Sequence, residues 1–389
     1  DPNNLANNLS QYIGDFSPNM RDVLQNFDFD NTIDRLDEAG LLYMVMERFN
    51  GVDLHPHRVP NETMSYIFEE LIRRFNEALN ENPGEHFTPR EIIRLMVNLI
   101  VTPDRGELSQ PHIIRTLCDP CCGTGGMLTI GKERVLEFNP EAEIFLFGQE
   151  VNPQTYAVCK SDLYMKDPSG RDAENIAKGS TLSNDQHAGK RFHYLLANPP
   201  YGKDWKMDQE AVEREARRGH AGRFGAGTPR VSDGQLLFLQ HMLNRMRSPD
   251  KGGGRVAIVM NGSPLFTGDA GSGESEIRRW ILENDWLEAL IALPEQLFYN
   301  TGIATYVWIL TNRKAEGRKG KVQLIDATDL WDPMRKSLGA KRRRISRAQI
   351  EEITGIYRGL EENGRSQFFK TFDFGYRKVR IERPLRLNF

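Results

Sequence analysis

The chain has 389 residues, a formal net charge of −3 and 39% hydrophobic residues, room for one large domain and a smaller one. So even a charge balance argues against a protein that grips nucleic acid alone through its phosphates. No apolar run approaches the roughly 20 residues of a membrane span and no secretory pattern is visible, so no membrane contact is expected.

In chain order, the start on Asp1 rather than Met reads as a trimmed terminus with sequence upstream. Residues 1–80 read as a helical N-terminal domain. Both "MRDVLQNFDFDNTIDRLDEAGLLYMVMERFN" (20–50) and "TMSYIFEELIRRFNEAL" (63–79) place apolar residues at helical intervals. Residues 81–312 read as a second, catalytic-type domain. It opens with "GEHFTPREIIRLM" (84–96), where Thr88 to Glu91 fits a capping box and Pro89 suits the first helical position. Short apolar runs then alternate with helical stretches: "IIRTLCD" (113–119), "IFLFGQE" (144–150), "FHYLLAN" (192–198), "RVAIVM" (255–260), "LEALIAL" (287–293) and "IATYVWIL" (303–310). This alternation predicts an α/β fold, a parallel sheet with helices on both faces. The last two runs are joined by only about ten residues, too few for a helical crossover, so they are expected to pair antiparallel. The polar, glycine-rich stretch 203–235 reads as a long mobile loop beside the site. From about 313 the sheet pattern stops, and 313–389 reads as a helical and extended tail for partner contact. In it "KRRR" (341–344) is a basic turn ahead of a helix, able to touch phosphates or simply solvated.

The loop "CDPCCGTGGML" (118–128) follows the first strand and leads into a helix. Cys118 and Cys121 have C-x-x-C spacing, but no second pair or nearby histidine completes a zinc site. Cys118, Cys121, Cys122 and Cys159 therefore read as reduced thiols, and no metal is expected. Gly123, Gly125 and Gly126 let the backbone turn tightly and approach a ligand, although a plain strand-to-helix turn would also use them. Asp119 closes the first strand. The next strand ends in Glu150, placed to accept from both hydroxyls of a ribose. The G-x-G-G spacing is not the dinucleotide fingerprint, and no Gly-Lys-Ser/Thr follows as in a P-loop, which argues against NAD and ATP. Asp119, the glycines and Glu150 favour S-adenosylmethionine. The "HFTP" helix would present its N-terminal amides to the cofactor's carboxylate.

"NPPY" (198–201) ends a strand downstream of that loop. The exocyclic N6 of adenine is a poor nucleophile because its lone pair is delocalised into the ring. Two acceptors aimed at its protons relieve that. Asn198 carries a side-chain carbonyl, and Pro199 carries a backbone carbonyl whose direction proline restricts. Pro200 stiffens the turn, and Tyr201 offers a flat face to a base flipped from the duplex. Catalysis would come from orientation and these acceptors, without a general base.

The order "HFTP", "DPCCGTGG", Glu150, "NPPY" resembles the N6-adenine DNA methyltransferases. More closely, it resembles the modification subunit of type I restriction-modification systems, over most of the chain. The resemblance implies an S-adenosylmethionine-dependent, Rossmann-like sheet with a last antiparallel strand behind an all-helical N-terminal domain. It implies that Glu85, His86, Phe87, Thr88, Pro89, Arg90, Thr124, Gly125, Gly126 and Glu150 line the cofactor site. It also implies that a late aromatic in "LPEQLFYNTGIATYVWIL" (293–310) holds the flipped base, Phe298 being the candidate and Tyr299 the alternative. One departure stands out: the family often has an acidic residue after the third strand, near the cofactor's adenine, where this chain has Ser180 or Thr181 in "NIAKGSTLSN". The eighty or so residues after 310 are few for a recognition domain. DNA sequence recognition is therefore expected from a separate specificity subunit, with a second copy of this chain and a restriction subunit as further partners in a prokaryotic cytoplasm. Two other readings stay open: methylation of a protein glutamine amide or an RNA base, and a cofactor-binding scaffold without turnover.

Overall fold

Side-chain alternation along a central sheet organises the molecule. The computed structural model describes residues 4–55, 57–60, 63, 64, 67, 71, 88–167, 169–299 and 301–382. The strands are β1 (Ile114–Asp119), β2 (Glu143–Glu150), β3 (Ile176–Lys178), β4 (Tyr194–Ala197), β5 (Arg255–Asn261), β6 (Leu287–Ala292), β7 (Thr305–Thr311), β8 (Lys321–Asp326), β9 (Asp332–Leu338), β10 (Lys341–Arg344) and β11 (Ser366–Lys370). Among the described residues nine of them form one sheet in the order β11-β8-β6-β7-β5-β4-β1-β2-β3, and β9 and β10 form a separate ribbon. β7 runs antiparallel to both β5 and β6, as the short connection requires, and β11 is antiparallel to β8. The other neighbours in the sheet are parallel.

The longer helices are α1 (Leu5–Gly14), α2 (Pro18–Asn26), α3 (Phe29–Glu38), α4 (Leu42–Asn50), α5 (Arg90–Val101), α6 (Gly126–Phe138), α7 (Pro153–Lys166), α8 (Gln209–Ala216), α9 (Gln235–Arg245), α10 (Gly273–Glu283) and α11 (Arg347–Gly359). Along β5, Ala257 and Val259 face one core with α5, α6 and α11. Val256, Ile258 and Met260 face the other, with α9 and α10. Strands buried on both faces read as continuous apolar runs, which is why they were legible. At the lower rim Arg255 bridges Asp104 (3.0 Å) and Glu288 (2.8 Å), and the Tyr357 hydroxyl donates to the same Glu288 (2.6 Å). That fully paired network ties β5, β6 and α11 together and leaves the opposite rim for chemistry. The N-terminal helices dock through α2 on α7, where Tyr156 and Lys160 both donate to Asp22, at 2.9 and 3.0 Å.

Four sequence expectations need correction. The sheet pattern does not stop near 313, because β8 and β11 extend the same sheet. β11 is an edge strand, and the charged residues of β8 (Lys321, Asp326) sit at its exposed ends, which hid the signal. "KRRR" is strand β10, not a turn; both faces of a two-stranded ribbon can carry charge, so no apolar alternation marks it. Segment 203–235 is not a bare loop. Trp205, Val212 and Phe224 are buried with Leu182 and Leu237 in a small core of their own. Finally, α5 has Pro89, not Thr88, at its N-cap and no side-chain cap there, because tertiary partners claim both members of the predicted box. Thr88 bonds Asn198, and Glu91 pairs with Lys341. Most of the 63–79 helix predicted from sequence lies outside the described residues, as do Glu85, His86 and Phe87.

Candidate active site

A cavity of about 990 Å³ opens at the C-terminal ends of β1, β2 and β4. This is the rim where parallel α/β sheets bind ligands. Its floor is the turn from β1 into α6. Gly123 and Gly125 have φ of 54° and 83°, the left-handed region that favours glycine. A Cβ on Gly125 would also lie 2.7 Å from the Cys159 sulfur, so the loop can pass there only without a side chain. The turn is pinned to β2 by Cys122 N–H donating to the Gln149 carbonyl at 3.0 Å.

Two backbone amides aim the Glu150 carboxylate. Gly123 N–H donates to Oε2 at 3.0 Å and Asn152 N–H to Oε1 at 2.8 Å. Each oxygen keeps a second lone pair for a ligand hydroxyl. Asp119 lies beside it, 2% exposed, accepting from Cys121 N–H at 3.0 Å. Burial, opposed by that amide and reinforced by the Glu150 charge, pushes its carboxyl up to about 7. Burial likewise pushes the thiols of Cys118 and Cys121 well up, and Cys122 is raised first by its bond with Cys159, so all three stay neutral packing groups.

Ser180 and Thr181 both reach the cavity wall. Thr181 Oγ1 donates to the Pro120 carbonyl at 2.5 Å, stapling this turn to the glycine loop. The Arg223 guanidinium donates to the Thr181 and Leu182 carbonyls at 2.7 and 2.9 Å and pairs with Glu215. The 203–235 segment thus braces this side of the cavity, and its Lys203, Asp204 and Trp205 line it.

Asn198 leaves the end of β4 half-buried in the wall. Its Nδ2 donates to Thr88 Oγ1 at 2.9 Å, and its Oδ1 accepts from the Tyr201 hydroxyl at 2.6 Å. Burial holds that hydroxyl far above its ordinary range, so it remains a donor. The Tyr201 ring meets Phe298 edge to face, centroids 6.1 Å apart.

The structure brings Thr88, Arg90, Asp119, Gly123, Thr124, Gly126, Glu150, Ser180, Asn198 and Pro200 to one cavity. Pro89, Gly125, Pro199 and Tyr201 sit directly behind that lining in sequence. Phe298 is 2% exposed and packs in the main core, whereas Tyr299 lines the cavity. Sequence reasoning missed Asn152, Trp205, Phe238 and Leu338, which also line it. Asn152 had a usable signal, an Asn-Pro N-cap directly after the Glu150 strand. Leu338 arrives from the distant ribbon and had none.

Residues 60–374 match the family described as N-6 DNA Methylase. The chain belongs to this family. It is 31% identical over 328 residues to the type I restriction enzyme MjaVII methylase subunit of Methanocaldococcus jannaschii, covering 78% of this chain and 53% of that one. It is 25% identical over 364 residues to the MjaIX methylase subunit of the same organism, covering 92% and 59%. It is 29% identical over 287 residues to the HindI methylase subunit of Haemophilus influenzae, covering 72% and 57%. The chain thus spans little more than half the length of these relatives. A solved type I restriction-modification methyltransferase subunit from Streptococcus thermophilus shares the fold, with TM-score 0.65, 24% identity, and 85% and 64% of the two chains covered. A putative class I S-adenosylmethionine-dependent methyltransferase from Listeria monocytogenes shares it as well, with TM-score 0.53, 14% identity, and 87% and 90% covered.

The raised Asp119 carboxyl makes a pH prediction for this N-6 DNA methylase fold. Folding favours its protonated form, so its contribution is present at low pH and is lost as pH rises from its ordinary range through about 7. Asp119→Asn keeps the acceptor for Cys121 N–H and removes the buried ionisation. The ligand-free variant should match the parent near pH 4. Above pH 7 it should gain stability, on the order of 4 kcal/mol at most. Calorimetric melting across that range checks it; a constant difference at all pH values contradicts it.

Proposed function

We propose that this chain is the catalytic part of a site-specific DNA methyltransferase that transfers a methyl group from S-adenosylmethionine to N6 of adenine. In this reading it works as the methylase subunit of a type I restriction-modification complex. The observation that carries the reading is Asn198, held at the β4 end by Thr88 in the same cavity as Glu150 and the glycine turn.

The residues fit the cofactor. Glu150, with lone pairs left over from its two amide bonds, would take the ribose hydroxyls. The glycine turn permits close backbone approach, and Thr88 and Arg90 at the start of α5 would meet the carboxylate. Ser180 stands where an acid is common, and its hydroxyl already accepts from Leu182 N–H at 3.3 Å. Bound S-adenosylmethionine supplies a methyl group on a sulfonium, already a strong electrophile.

The chain's own task is to orient the adenine amino group. Thr88 accepts from Nδ2 of Asn198, which turns Oδ1 the other way, towards Tyr201. Oδ1 and the Pro199 carbonyl then accept hydrogen bonds from the two N6–H groups and return lone-pair density to nitrogen. Neither oxygen is basic enough to keep a proton, so the one that nitrogen gives up on methylation passes to solvent. The Tyr201 hydroxyl holds Oδ1 in the meantime and is displaced by the incoming amino group, while its ring stacks on the base. Tyr299, from the cavity wall, is better placed than the buried Phe298 to reach the other face of the base.

The family match and the type I methylase relatives support DNA over a protein amide or RNA. The relatives' names make them subunits of type I restriction enzymes, which supports assembly with other subunits. In this reading those are a specificity subunit, a second copy of the chain and a restriction subunit. That complex would work in a prokaryotic cytoplasm. Among the described residues no helix is long and apolar enough to cross a membrane.

Methyl transfer to unmethylated DNA, with and without a specificity subunit, tests the reading through three substitutions. Asn198→Ala should lower kcat by about 10²–10³ and leave cofactor binding intact. Thr88→Val should lower kcat about tenfold, the scale of one hydrogen bond, and Thr88→Ser should restore it. Tyr201→Phe should keep kcat within about threefold, whereas Tyr201→Ala should lose roughly 10- to 100-fold with the stacking face. An Asn198→Ala protein as active as its parent overturns the assignment.

A further inference from the structure

The β9–β10 ribbon, whose Leu338 lines this cavity, carries a concentration of positive charge. Arg335, Lys336, Arg342 and Arg344 are exposed on it. Among the described residues none of the four is paired with a carboxylate, although the chain as a whole carries a net charge of −3. Arg343 differs: its guanidinium lies over the Trp331 ring at 4.0 Å and packs inward.

The ribbon is held firmly against the site. Ala340 N–H donates to the Tyr299 carbonyl at 2.9 Å, and Arg342 and Arg343 N–H to the Gln296 carbonyl at 3.0 and 3.2 Å. Gly339 at the tip has φ of 60°, and a Cβ there would lie 2.4 Å from the Tyr299 carbonyl oxygen, so the contact requires glycine. Buried Lys341 donates to the Leu297 carbonyl at 2.8 Å and pairs with Glu91 on α5. Burial lowers the pKa of this ammonium, and Glu91 opposes that shift. Leu338 and Tyr299 both face the cavity.

Four cations without a carboxylate partner, on a ribbon that reaches the cavity at Leu338, can neutralise closely spaced anions at little ordering cost. We infer that the ribbon is a phosphate clamp: Arg335, Lys336, Arg342 and Arg344 grip the DNA backbone next to the nucleotide that enters the cavity. This rests on the DNA-methyltransferase reading and adds to it the element that holds the strand once the base has left the duplex. Lys341 is the strut that keeps the clamp in register with α5.

The salt dependence of DNA affinity tests it. Each phosphate contact contributes about 0.9 to the slope of log Kd against log salt concentration. The chain, assembled with a specificity subunit, is titrated with a duplex carrying a mismatched adenine, read by fluorescence anisotropy at several salt concentrations. The variant combining Arg335→Ala, Lys336→Ala, Arg342→Ala and Arg344→Ala should lose up to about 3.6 from that slope. Replacing the three arginines by lysine should retain it. Binding of a cofactor analogue, measured by calorimetry, should be the same in all three proteins, which shows the cavity intact. If the parent binds DNA and the alanine variant keeps its slope, the clamp is wrong while the methyltransferase reading stands. If the parent shows no salt-dependent DNA binding, both fall.

Discussion

The hydrogen bond from Asn198 to Thr88, 2.9 Å long, joins two parts of the chain that serve different ligands. Thr88 lies beside the start of α5, where the cofactor carboxylate is proposed to sit. Asn198 ends β4, where the target base is proposed to sit. A side-chain amide has two nearly isosteric ends, and only the oxygen can accept an amino proton. Using the nitrogen on Thr88 commits the oxygen to the cavity. The rest of the fold keeps these two residues in register: α5 packs across β4, β5 and β7 on one side of the sheet, and Lys341 ties its first turn to the ribbon.

The same economy explains what the sequence disclosed. The central strands were legible because they are buried on both faces and stand out as β-branched and aliphatic runs. Glu150 and the glycine turn were legible because a positive φ and a carboxylate at a strand end have few other uses. The antiparallel β7 followed from the length of one connection. What stayed hidden depended on distant partners. The Thr88–Glu91 pair has the local signature of a capping box, yet Asn198 and Lys341 compete for its side chains and win. Phe298 and Tyr299 are adjacent, and nothing local says which enters the core. β11 lies at an edge, β10 lies in a ribbon, and β8 carries its charges at its two exposed ends, so their pattern resembles a tail.

Division of labour between the two rims of the sheet follows from burial. At the lower rim, charges are matched: Arg255 meets Asp104 and Glu288, and Tyr357 completes the set. At the upper rim, groups are aimed but not saturated. Glu150 keeps lone pairs, Asn198 offers an oxygen held only by a displaceable hydroxyl, and Asp119 sits near its protonation midpoint at neutral pH. Polar groups left in this state cost stability, which the surrounding apolar core offsets.

The central claim is that this cavity orients the amino group of adenine in DNA. Its most direct test is the identity of the product. The chain, with a specificity subunit, is incubated with unmethylated genomic DNA and isotopically labelled S-adenosylmethionine. The DNA is then digested, and its nucleosides are resolved by mass spectrometry. The account predicts label in N6-methyldeoxyadenosine alone, abolished by Asn198→Ala. Label in a methylated cytosine, or in protein or RNA but not in DNA, would contradict it.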